Sequence, residues 1–83
     1  MKMHLLSIMK IVALGFKELK GDKLDDNGYY RWWQLKKNDC ELNINYEFDN
    51  NKKVTHGYVE FNGEQLKGKT ITLADIEILI ILM

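Results

Sequence analysis

"CELNINYEF", residues 40–48, alternates without a break: Cys40, Leu42, Ile44, Tyr46 and Phe48 fall on one side, and Glu41, Asn43, Asn45 and Glu47 on the other. Successive side chains of a strand point to opposite faces, so this stretch can only be a strand with one dry face and one wet face. It sits between two groups of turn-forming residues, Asn38-Asp39 and Asn50-Asn51, and both flanking segments carry strand-forming residues. An antiparallel meander follows. A tight turn at Asn38-Asp39 predicts Leu35 opposite Leu42 and Trp33 opposite Ile44. A tight turn at Asn50-Asn51 predicts Leu42 opposite Val59, Cys40 opposite Phe61 and Ile44 opposite Gly57. Both pairings keep apolar residues together, and a slip by one residue would destroy that agreement.

The preceding strand, within "NGYYRWWQLKK", then has Tyr29, Trp33 and Leu35 pointing to the core. Arg31 shares their side and is placed at its margin, stacked on Tyr46. Tyr30, Trp32, Gln34 and Lys36 point away, beside Asn45, Asn43 and Glu41, with His56, Tyr58 and Glu60 of the next strand beyond them. The expected outer face is a lane, Trp32–Asn45–His56 next to Gln34–Asn43–Tyr58, with Glu41 directly opposite Glu60.

Helices are expected at both ends. Met1, Leu5, Ile8, Met9, Val12 and Phe16 fall in one stripe at helical spacing. Gly15 supplies the left-handed stop, after which Phe16 can fold back onto Ile11. A strand through "KIVALGF" is the competing reading for residues 9–19. A short strand from about Phe16 to Leu19 and a loop, "KGDKLDDNG", come next. Thr72 and Asp75 have capping-box spacing before a helix from about Leu73 to Met83. Ile76, Leu79, Ile80 and Met83 can pack on the core, leaving Ile78, Ile81 and Leu82 to be covered by the first helix or by a second subunit. Those three form a candidate homodimer seam. The fold class is therefore α+β: one domain over residues 1–83, an N-terminal helix, a three- to four-stranded antiparallel meander and a C-terminal helix.

The chain's 83 residues allow a single modest core that buries roughly 60–65% of the unfolded surface. Twelve basic and twelve acidic residues cancel, so neither nucleic acid nor an anionic membrane is attracted at long range. The single cysteine excludes an internal disulfide and a Cys-rich zinc site, which fits a cytoplasmic location. Lys10 interrupts the apolar opening, no A-x-A site follows it, and "IEILIILM" is too short to span a bilayer.

Catalytic chemistry finds no constellation. Cys40 faces the core while His56 faces solvent, and Ser7, the only serine, lies in the first helix. His4 and His56 have no metal-ligand spacing, and "DKLDDNG" has Leu24 where a calcium ligand is required. Glu41 facing Glu60 could act as an acid/base pair, but Lys36 on the other side of Glu41 makes a solvated face the better reading. "NGEQLKGK" lacks phosphate-loop spacing. The expectation is a non-enzymatic chain without metal or cofactor.

What remains is binding. Tyr30, Trp32, His56 and Tyr58 on an open sheet face could stack on unpaired bases, but Glu41, Glu47 and Glu60 beside them would cancel most phosphate attraction. A polar-aromatic surface with few cations suits another protein, with Tyr30 and Trp32 as anchors. A helix covering this face, the more usual architecture and the favoured expectation, would instead make the rings a second small core, against which Asn43, Asn45 and Glu47 would be costly to bury. The sheet edge, where a partner could add a strand, is a further docking surface. Eleven lysines to one arginine, seven asparagines and eight isoleucines suggest an AT-rich coding sequence. With small size and no catalytic groups, that usage is common among phage and mobile-element accessory proteins that bind and inhibit a host protein, defence components included. This expectation rests on analogy.

Overall fold

A computed structural model describes residues 7–24, 27–66 and 71–83. The elements are α1 (Ile8–Ala13), β1 (Lys17–Leu19), β2 (Tyr29–Lys37), β3 (Cys40–Phe48), β4 (Val54–Phe61), β5 (Glu64–Gln65) and α2 (Leu73–Leu82). The strands form one antiparallel sheet in the order β1-β2-β3-β4-β5, a plain meander. The class is α+β as expected, with five strands instead of three or four.

The three hairpins show how turn chemistry sets register. Asn38 and Asp39 both take positive φ, 49° and 65°. This is the tight turn whose twist matches the strands it joins. Leu35 therefore faces Leu42, and Trp33 faces Ile44, as the sequence predicts. Between β3 and β4 the turn is longer. Asp49 Oδ1 accepts from the amides of Asn51 (2.8 Å) and Lys53 (2.9 Å), and Asp49 N donates to Lys53 O at 2.9 Å. This wider loop moves the register by two: Leu42 faces Phe61, Ile44 faces Val59 and Tyr46 faces Gly57. Because the shift is even, every side chain keeps its face. The strand β5 closes on Asn62-Gly63, both at positive φ, and Asn62 Oδ1 also accepts from Glu41 N at 2.8 Å.

The first helix is real but short, so the segment 9–19 is helix and then strand. Gly15 N donates to Val12 O (3.0 Å) and Phe16 N to Ile11 O (3.4 Å), with Gly15 at φ 104°. Those two bonds are the Schellman ending, and Ile11 and Phe16 are both buried beneath it. The predicted stripe is corrected: Met9 is 83% exposed and Val12 52% exposed, while Ile11 carries the packing. Met1 and Leu5 lie outside the described residues.

At the other end, Asp75 N donates to Thr72 Oγ1 (3.3 Å) and Thr72 N to Asp75 Oδ2 (2.9 Å), completing the capping box of α2. Ile76 and Met83 are buried and Leu79 and Ile80 pack beside them, as predicted. The β2–β3 hairpin ties down the end of this helix, with Lys37 Nζ donating to Ile80 O (3.3 Å) and Asn38 Nδ2 to Met83 O (3.2 Å). A cation at the carboxyl end of a helix is favourably placed. Ile78, Ile81 and Leu82 stay exposed, and α1 does not cover them.

Both helices lie on the same face of the sheet. Ile11 and Phe16 at one end of the chain, and Ile71, Ile76 and Met83 at the other, join Trp33, Leu42, Ile44, Tyr46 and Val59 in one core. Trp33 meets Tyr46 edge to face at 5.8 Å, and Tyr29 stacks on Phe48 at 4.9 Å. Arg31 stands at the margin, but its guanidinium lies over Trp33 (5.1 Å) rather than Tyr46. Two bonds to Glu18, both 2.8 Å, hold it there. The guanidinium keeps the Glu18 carboxyl below its usual range, so the pair's small contribution is present at neutral pH and lost on acidification.

Candidate protein-binding face

The opposite face of the sheet carries no helix among the described residues. Its rows follow from the register. Leu19, Trp32, Asn45 and Tyr58 lie side by side across β1 to β4, with Tyr30, Glu47 and His56 in the row on one side. Lys17, Gln34, Asn43, Glu60 and Gln65 form the row on the other side. All four anchors read from the sequence, Tyr30, Trp32, His56 and Tyr58, are therefore brought together on this face. The predicted lane is corrected by the two-residue shift: Tyr58, not His56, stands across Asn45 from Trp32, and Tyr58 is not next to Asn43.

The Trp32 ring is held rather than loose. Trp32 Nε1 donates to Lys20 O at 3.1 Å, which turns the indole toward the edge where β1 ends. Just beyond, Tyr30 N donates to Asp22 O at 3.0 Å, so the chain stays against β2 after β1 has formally stopped. Tyr30, Trp32 and Tyr58 are half-buried, and His56 is exposed.

The central strand supplies the floor. Asn43 and Asn45 are only 5% and 7% exposed, because longer side chains on β2 and β4 close over them. Asn43 is well bonded: Gln34 Nε2 donates to its Oδ1 (3.1 Å) and its Nδ2 donates to Glu41 Oε2 (2.9 Å). Lys36 Nζ completes the chain, 3.7 Å from Glu41 Oε1. Such a ladder solves the problem of burying asparagine on a sheet. Asn45 has no such partner among the described residues.

Electrostatics single out Tyr58. Its phenol is raised above the ordinary value by burial first, then by Glu47, Glu60 and Tyr30. An ultraviolet titration is expected to show a step for Tyr58 above the usual pH of about 10. Tyr58→Phe should remove that step. The sign is fixed. As pH rises past about 10, unfolded Tyr58 loses a proton that the folded chain retains, so stability falls there.

The expected pairing of Glu41 with Glu60 is corrected as well. Glu60 faces Asn43, and Glu41 is bonded to Asn43 and Lys36, so the two carboxylates are not opposite each other. Cys40 is half-buried at the β2–β3 turn on the core face, away from His56 on the outer face. Among the described residues no group of three His, Cys, Asp or Glu side chains could hold a metal, and no helix is long and apolar enough to cross a membrane. Ser7 is exposed at the start of α1; His4 and residues 25–26 of the acidic loop lie outside the described residues. Compared with known proteins, the chain matches no family model, no curated protein and no solved structure, so its function has to be argued from the chemistry of this face.

Proposed function

We propose that the chain is a non-enzymatic protein-binding module that docks its partner on the outer sheet face, with Tyr30, Trp32, His56 and Tyr58 as anchors. One observation carries this reading: three half-buried rings and an imidazole share a face that carries no helix among the described residues, with Trp32 oriented by its bond to Lys20 O. Oriented aromatic side chains bind with little entropy left to lose. The finer reading, a cytoplasmic phage or mobile-element accessory protein that blocks a host protein, is supported only by small size, residue usage and the lack of a catalytic constellation.

The test compares the wild-type chain with Trp32→Ala and Tyr58→Ala as baits in a bacterial lysate, each checked for folding by circular dichroism. A protein held by the wild type is expected to bind each variant at least about tenfold more weakly, the range of a hot-spot residue. Trp32→Ala should still fold, at a stability cost of about 1–2 kcal/mol for its hydrogen bond and partial burial. Equal capture by all three baits would remove the outer face from function. A single-stranded oligonucleotide that quenches Trp32 fluorescence in a salt-dependent way would favour the nucleic-acid alternative instead.

A further inference from the structure

The helix α2 is apolar nearly all the way round. Its only polar residues are Asp75 and Glu77, and Asp75 is taken up by Thr72 in the capping box. Ile76 turns to the sheet, and at 100° per residue Ala74, Ile78 and Ile81 lie on the opposite side with Leu82 beside them. Ile78 is 56% exposed, Ile81 77% and Leu82 73%. On α1, Ile11 is buried while Met9 and Val12 look outward. Helices with a second apolar side belong in an interior, so this layer lacks a cover. The two helices share one face of the sheet and border a common groove, lined by Lys10, Ala13 and Leu14 of α1 and by Leu73 and Glu77 of α2. Met9 stands one turn from Ala13, and Ile81 one turn from Glu77, so apolar side chains run on from both walls of that groove.

Size and charge say what the cover is. At roughly 100 Å² for each large side chain, Met9, Val12, Ile78, Ile81 and Leu82 offer about 500 Å² per copy. That lies toward the upper end of the about 300–600 Å² of the largest patch on a typical monomer. Two such patches face to face remove about 1,000 Å², and Ala13, Ala74 and the aliphatic stem of Lys10 bring the total to the low end of a stable interface. The charge is self-complementary. Lys10 and Glu77, one on each wall of the groove, are in no ion pair among the described residues. A two-fold contact sets each residue of a surface against another residue of the same surface. A patch with one cation and one anion therefore attracts its own copy, whereas an acidic or basic partner would engage only one of the two.

We infer that the helix layer takes a second copy of the chain about a two-fold axis, with Ile78, Ile81 and Leu82 in the seam and Lys10 of each copy beside Glu77 of the other. Both sheets then lie outside the seam, so the face of Tyr30, Trp32, His56 and Tyr58 stays open on each copy. The dimer does not depend on the protein-binding reading of that face.

Sedimentation equilibrium of the full chain tests it. From about 1 to 500 µM the wild type is expected to pass from monomer to dimer mass. Ile81→Glu should raise the dissociation constant at least about tenfold. Ile81 is exposed, so circular dichroism should show this variant folded. Lys10→Glu and Glu77→Lys should each associate more weakly than the wild type. Their equimolar mixture should recover wild-type association, because each variant then meets the opposite charge on the other, which a pair acting within one copy could not do. A monomer mass throughout, wild-type association of Ile81→Glu, or no gain on mixing the two charge variants would overturn the inference.

Discussion

Replacing Trp33 by alanine is expected to leave the chain unfolded at room temperature. Trp33 is fully buried on β2, faces Ile44, meets Tyr46 edge to face and lies under the Arg31 guanidinium. Emptying such a site costs about 3–5 kcal/mol, and a domain of this length has a total stability near the low end of about 5–15 kcal/mol. Circular dichroism in water should therefore show loss of the sheet signal. Trp33→Phe makes a sharper case. It removes volume, but it also removes the Nε1–H, which is buried without a hydrogen-bond partner. An unmade hydrogen bond of that kind costs about 1–3 kcal/mol, so the phenylalanine variant should lose less than about 2 kcal/mol in urea unfolding. If alanine at this position left the midpoint unchanged, the core would not be centred on Trp33.

The contrast between neighbouring tryptophans was legible in the sequence, and so was the face each belongs to. Alternation fixes faces because its period is two, and the Asn38-Asp39 turn left one short closure for the first hairpin. The second register was not legible for the same reason. Alternation is blind to a shift by two, and "DNNKK" can close with two loop residues or with the wider turn that Asp49 organises. The outer face keeps its residues under this shift while its inner order does not, which is why Tyr58 takes the place beside Asn45 expected of His56. The fifth strand had its signal in Asn62-Gly63, an Asn-Gly pair at a hairpin, but the two residues of strand that follow are too short to show any alternation. The stripe over residues 1–16 failed for a different reason. It presumed a long helix, whereas α1 is six residues and its burial is decided by the Schellman turn at Gly15.

Nothing in the sequence distinguishes Gly21 from an ordinary loop glycine, yet Gly21→Ala is expected to disturb the binding face more than most changes on it. A Cβ at this position would lie 2.0 Å from Tyr30 O and 3.0 Å from its carbonyl carbon. Those atoms belong to a paired strand and cannot step aside, so the Gly21 segment must move. The bond from Tyr30 N to Asp22 O then breaks, and Lys20 O is drawn away from Trp32 Nε1. The core does not touch this edge, so the chain should stay folded at a cost of about 1–3 kcal/mol, the range for a forced clash. Amide exchange is expected to accelerate at Tyr30, and the Trp32 indole signal to move toward its unbonded position. Partner affinity should fall roughly tenfold or more although Gly21 offers no side chain to any partner, because the indole would have to be ordered at the moment of binding. An alanine variant with a displaced edge and undiminished binding would show that Trp32 does not work through the orientation Lys20 gives it.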